Sequence, residues 1–175
     1  MQLSSSDTIN APLAEVYQLI RDDLPKIASY LPDVSQIKRI SEEKLPDGKT
    51  KIVNHWFSSV ELPTILKKFV TDDILSWKDI AIWDDKAMQV NFSLEPFLAK
   101  SLFKATGMNE FSAESDKVTL MKVEFNIELY PENIPGMPKF IASKATPMVE
   151  ALLKKILYPN ISNLSKGLND YLKKK

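Results

Sequence analysis

Between residues 137 and 173, apolar side chains return every three or four positions: Phe140, Ile141, Ala145, Met148, Val149, Leu152, Leu153, Ile156, Leu157, Ile161, Leu164, Leu168 and Tyr171. That spacing draws one stripe down an α-helix. No glycine falls between Gly136 and Gly167 to end it. A stripe of this length needs a surface to cover it. The preceding stretch of about 100 residues reads mostly as strands, so the helix must lie across a sheet. A sheet curved around such a helix tends to enclose space, which points to a ligand container rather than a flat interface. Pro147, preceded by Thr146, and Pro159 predict kinks or breaks that let the helix follow a curved surface.

The clearest strand runs from Val118 to Leu129. Met121, Val123, Phe125, Ile127 and Leu129 alternate with Lys122, Glu124, Asn126 and Glu128. One apolar and one polar face mark an antiparallel sheet covered on one side. Further strands are expected at 2–9, 34–41, 49–60, 74–83, 88–94 and 102–111. Asp47-Gly48 turns the chain between the second and third of these, and Gly107 marks a bulge or bend. Between the first strand and the second, Asn10 is placed to cap a short helix with Pro12 in its first turn. Leu13, Val16, Tyr17 and Ile20 form the buried stripe of that helix, and Ile27, Ala28 and Leu31 suggest a second. Residues 61–73 fit either a helical turn or an irregular strand.

The chain's 175 residues suit one domain, 1–175. Lys plus Arg and Asp plus Glu both number 23, so no basic excess points to nucleic acid. The balance hides an asymmetry. Residues 137–175 carry eight lysines against Glu150 and Asp170, a net of +6 on an acidic body. Such a helix can complement its own body, or present lysines to an anionic membrane. The absence of cysteine rules out disulfides and thiolate chemistry, and a single histidine rules out metal sites built on paired imidazoles. No metal and no cofactor is expected. The first residues lack the apolar core of a signal peptide, and no apolar run is long enough to span a bilayer, so a cytoplasmic location is expected.

The order strand, two short helices, about six strands and one long helix, together with the opening Ile9-Asn10-Ala11-Pro12 and Glu15-Val16-Tyr17-Gln18-Leu19-Ile20, resembles the START-like helix-grip superfamily, also called SRPBCC. Polyketide cyclase-like and pollen-allergen-like proteins belong to it. Tyr30-Leu31-Pro32-Asp33-Val34 matches that group's segment of an aromatic followed by proline, and Ile134-Pro135-Gly136 with Met148-Val149-Glu150 is similar to an uncharacterised branch. The resemblance implies an α+β fold, β-α-α-β6-α. A curved antiparallel sheet of about seven strands would wrap the last helix around an apolar cavity.

The candidate ligand contacts are Trp56, Phe92, Leu94, Phe125 and Ile127 from the sheet, and Met148, Leu152 and Ile156 from the helix. Trp77, Trp83, Phe57, Phe103 and Phe111 belong to the wider aromatic set. Plain core packing explains most of them equally well. His55 is a candidate polar cavity group, because imidazole titrates near neutrality. A catalytic role would need an oriented partner, and Asp79 or Glu61 is available in the sequence. The pairs Asp22-Asp23, Glu42-Glu43, Asp72-Asp73 and Asp84-Asp85 read as solvated turns and match no calcium-loop pattern. The favoured function is binding of a lipid, fatty acid, isoprenoid or polyketide-like molecule, without evident catalysis. The rivals are a cyclase, aromatase or hydrolase using His55, Asn91, Asn109 or Tyr130 in the cavity, a membrane-docking module, and a protein-interaction domain.

Overall fold

The computed structural model describes residues 1–61, 64, 75–97, 102–133, 138, 147, 151 and 163–174. Seven strands form one sheet: β1 (Gln2–Ile9), β2 (Val34–Lys44), β3 (Thr50–Ser58), β4 (Ser76–Asp84), β5 (Gln89–Pro96), β6 (Phe103–Ser115) and β7 (Val118–Leu129). Every neighbouring pair is antiparallel, in the order β1-β7-β6-β5-β4-β3-β2. The first strand therefore pairs with the last, with Gln2 opposite Asn126 and Ile9 opposite Thr119. β1 and β2 are the two sheet edges. The chain crosses between them through helix α1 (Leu13–Asp22) and a 3-10 helix, Leu24–Tyr30. Residues 163–172 form a C-terminal helix.

β7 has the limits its alternation predicts. Met121, Val123, Phe125 and Ile127 are buried on one face, while Lys122, Glu124 and Glu128 are exposed on the other. Met121 and Val123 join Val16, Tyr17, Leu19 and Ile20 of α1, then Leu24, Ile27 and Ala28, then Leu168, in one cluster. Each such side chain removed from water contributes about 1.5–3 kcal/mol. The C-terminal helix is held against the start of the chain by Asn169. Its side-chain oxygen accepts from the Asn10 N–H at 2.8 Å, and its amide donates to the Thr8 carbonyl at 3.1 Å. At Gly167 the helix comes so close to the 3-10 helix that a Cβ would sit 2.9 Å from the Tyr30 carbonyl oxygen.

Several local expectations are corrected. Pro12, not Asn10, is the N-cap of α1, and no side chain caps it, because the helix starts at Leu13 and proline has no polar side chain to offer. The second short helix is a 3-10 segment. β6 runs on to Ser115, so only Asp116 and Lys117 turn the chain. Gly107 stays in register opposite Phe125 and Phe92, and the irregularity in that ladder lies at Ala113–Ser115 instead. Gly107 serves close approach: a Cβ there would lie 2.3 Å from Phe92 Cζ and 2.6 Å from the Glu124 carbonyl oxygen. The predicted segment 61–73 and the helix kinks at Pro147 and Pro159 lie almost wholly outside the described residues.

Candidate functional site

Between the sheet and the helices is a cavity of about 190 Å³. At roughly 10–15 Å³ per water on this measure, it holds on the order of fifteen non-hydrogen atoms. The central strands build most of its wall. β4 contributes Trp77, Asp79, Ala81 and Trp83 at every second position, as a strand must. β3 gives Trp56, β5 gives Val90, Phe92 and Leu94, and β6 and β7 give Asn109, Val123 and Phe125. Ile20, Leu24, Leu31, Val34 and Leu164 complete the described lining.

The aromatic wall is ordered by ring contacts. Trp56 and Trp77, opposite each other on β3 and β4, stack at 5.8 Å and 17°. Phe92 stacks on Phe125 at 6.1 Å, an arrangement that the missing side chain of Gly107 permits. Trp83 meets Tyr17 edge-on at 5.2 Å. The Tyr17 hydroxyl donates to Asp85 at 3.1 Å, which also pairs with Arg21 at 2.8 Å. Burial and that carboxylate both hold the Tyr17 phenol above its ordinary range.

Against this apolar lining stands one buried carboxylate, Asp79. It is the sole charged side chain among the described lining residues. Asn54, opposite it on β3, donates from its amide to Asp79 at 3.5 Å, a long bond. Asn54 is itself held by Arg39, whose Nε donates to the Asn54 oxygen at 3.2 Å. The Arg39 guanidinium also engages Glu42 and the Arg21 and Asp22 carbonyls. The charge of Arg39 thus reaches Asp79 only through an amide. Burial pushes the Asp79 carboxyl up from 3.8 to about 6, and the Asn54 and Trp56 N–H groups draw it down less. The Trp56 indole N–H stops short of hydrogen-bond geometry and joins Trp83 Nε1 and Asn109 Oδ1 among buried polar atoms without a partner.

The structure thus puts Trp56, Phe92, Leu94 and Phe125 around one cavity. Ile127 shares their face but packs with Leu3, Ala105 and Phe125 in a cluster beyond the cavity lining. Met148, Leu152 and Ile156 lie outside the described residues. His55 is corrected: Trp56 faces the cavity, so its neighbour His55 faces the opposite side of the sheet. There it stacks on Phe97 at 3.8 Å and lies 3.9 Å from Phe57, beside Lys38 and Lys78. Burial and those two lysines lower its pKa. Asn91 is exposed, and the half-buried Tyr130 donates to Glu128 at 2.7 Å, so of the four polar candidates only Asn109 lines the cavity.

Asp79 is the residue whose place sequence reasoning leaves open, naming it only as an available partner for His55. The signal was available: Trp77-x-Asp79-x-Ala81-x-Trp83 sets an acid in the middle of an apolar strand face. Several of the paired acidic residues have local duties. Asp84 accepts the Lys86 and Ala87 N–H groups, Asp23 pairs with Lys26, and Asp22 pairs with Arg21. No group of three metal-binding side chains occurs among the described residues. No helix among them is long and apolar enough to cross a membrane. Of the C-terminal lysines, Lys173 lies 3.9 Å from Asp170 and Lys174 sits over the Tyr30 ring at 5.0 Å.

A seven-stranded antiparallel sheet closed on a C-terminal helix is the START-like helix-grip fold, in the α+β class. Solved structures with this fold superpose on nearly the whole chain. The Zhui aromatase/cyclase from Streptomyces sp. R1128 matches with a TM-score of 0.63 at 12% identity, covering 98% of this chain and 95% of its own. A START superfamily protein from Mycobacterium smegmatis matches at 0.57 and 16% identity, covering 99% and 97%. The allergen Ara h 8.0201 matches at 0.57 and 10% identity, covering 100% and 99%. The likeness spans 46% of the di-domain aromatase/cyclase StfQ of the steffimycin pathway. These identities carry the fold and nothing finer. No family model and no curated protein matches the sequence.

Proposed function

We propose that this chain, acting as one domain, binds a hydrophobic small molecule in the cavity and carries or sequesters it. The observation that supports this most is the cavity itself, walled by three tryptophans and two phenylalanines on the concave side of the sheet. Apolar burial at ~25 cal/mol per Å² supplies the affinity there. A saturable rise in ANS fluorescence, reversed by an added lipid or polycyclic aromatic, is the expected result. Failure of ANS and of every apolar competitor to bind refutes the reading.

The rival is a cyclase- or hydrolase-type reaction in the same cavity. It draws support from Asp79, whose carboxyl at about 6 can exchange a proton near neutrality. Turnover of a polyketide-like or ester substrate by the wild type, lost in Asp79→Asn, would establish it. Contact of the lysine-rich C-terminal segment with anionic membrane belongs to the carrier reading. Co-sedimentation with anionic vesicles that weakens as salt rises is the matching test.

A further inference from the structure

Asp79 is 9% exposed and faces a cavity otherwise lined by apolar groups and one amide. A buried carboxylate is normally neutralised by a cation in direct contact. Among the described residues none is in contact with Asp79. Arg39 is separated from it by Asn54 and committed to Glu42 and to two backbone carbonyls. His55 is adjacent in sequence to Asn54 but lies on the other face of the sheet with Lys38 and Lys78. The carboxylate thus has an acceptor oxygen to offer and, among the described residues, no cation in contact to take it.

What surrounds the carboxylate fits one chemistry. Trp77 is two residues along the same strand, on the same face, and Trp56 stacks on Trp77. Ala81, also two residues away, leaves space, and Phe92 lies opposite Ala81 on β5. Electron-rich ring surfaces attract a positive charge, and do so more strongly once it is desolvated. Indoles flanking a carboxylate therefore match a protonated amine with an apolar body. The N–H donates to Asp79, the charge sits among the rings, and the hydrocarbon fills the rest of the cavity. A fatty acid would bring a second carboxylate beside Asp79, where like charges repel in a poorly solvated space.

We infer that the cavity is built for hydrophobic amines, with Asp79 as the counter-ion and Trp56 and Trp77 as the flanking rings. This rests on the small-molecule reading above and gives it a ligand class. The test uses three probes with one skeleton: 4-phenylbutylamine, 4-phenylbutanol and 4-phenylbutanoic acid. Their dissociation constants are measured by calorimetry or by ANS displacement. The amine is expected to bind about tenfold more tightly than the alcohol, with the acid weakest. Asp79→Asn should bring the amine to within about threefold of the alcohol. Trp77→Leu should weaken the amine more than the alcohol. Circular dichroism and thermal melting establish that each variant is folded. Equal or stronger binding of the acid, or an amine preference that survives Asp79→Asn, overturns the inference and leaves the small-molecule reading intact. Binding of ANS without any of the three probes overturns it as well. Failure of ANS and all probes together removes both readings.

Discussion

Asp79→Asn tests the energetics of the cavity directly. Burial raises the Asp79 carboxyl from 3.8 to about 6, so between those values the folded state holds a proton that the unfolded chain has released. The folded state then binds more protons, and stability falls as pH rises through that window. Below the window this loss is absent, and above it the loss is complete. A shift of about two pH units corresponds to about 3 kcal/mol at 1.36 kcal/mol per unit. Asparagine has the same shape and never ionises, so it removes the whole pH-dependent contribution. Its oxygen can still accept from Asn54, but its own amide lacks a ready partner, which offsets about 1 kcal/mol. The variant's advantage over the wild type should therefore grow by about 2.5 kcal/mol as pH goes from about 4 to about 7.5, because the amide's cost does not change with pH, and stand at about 2 kcal/mol at the upper value. Near neutrality that corresponds to a melting temperature higher by about 4–8 °C for a domain of this size. Urea unfolding of both proteins at the two pH values gives the number. Other carboxylates and His55 titrate in both proteins and cancel in the difference. A difference that does not change with pH, or that shrinks as pH rises, would refute the reasoning.

Further consequences are equally direct. His55 is the single histidine, so its imidazole protons give isolated NMR signals, and their midpoint should fall below 6.5 because burial, Lys38 and Lys78 disfavour the charged ring. The sign follows: as pH falls through 6.5 the unfolded chain protonates first and folded stability drops, and His55→Phe should abolish that drop in urea titrations. Gly107→Ala should destabilise the fold by about 1–3 kcal/mol, since its methyl would overlap Phe92 and the Glu124 carbonyl, and an unchanged melting temperature would contradict the close packing. Asn169→Ala removes both ties to Thr8 and Asn10 and should cost about 1 kcal/mol, with faster amide exchange concentrated in residues 163–172.

The parts of this fold that the sequence discloses are those in which one physical requirement dominates. β7 is legible because its two faces meet different solvents, so alternation alone fixes its limits and orientation. The cavity aromatics Trp56, Phe92 and Phe125 are legible for the same reason. His55 was not, because a strand's alternation assigns a face only when its polarity is clear, and β3 mixes Asn54 inside with Val53 and Phe57 outside. Neighbours on β2 and β4 decide that strand: Lys38 and Lys78 flank His55, while Arg39 and Asp79 pair with Asn54. Gly107 was misread because a strand glycine means either a bulge or a close approach, and only the position of Phe92 on the next strand distinguishes them. Asn10 was misread because the helix starts at Leu13, which makes Pro12 the cap, and helix limits are the part of a local pattern least sharply drawn.

The central strand of the cavity presents the sharper contradiction. An apolar residue at position 79 would match Trp77, Ala81 and Trp83 and avoid about 3 kcal/mol of lost stability near neutrality. The surroundings do not minimise that loss. Arg39 could neutralise the carboxylate by direct contact, but Asn54 stands between them, with its oxygen turned to Arg39 and its amide to Asp79. The arrangement fixes the carboxylate in place without cancelling its charge. Such a site is energetically poor when empty and improves when a cation enters, because the binding partner then recovers what burial lost. Ligand affinity and intrinsic stability should thus oppose each other at this one residue. Asp79→Asn should melt higher than the wild type without ligand, and gain less melting temperature than the wild type when a hydrophobic amine is added. A variant that gains on both counts would break the link between the buried charge and its guest.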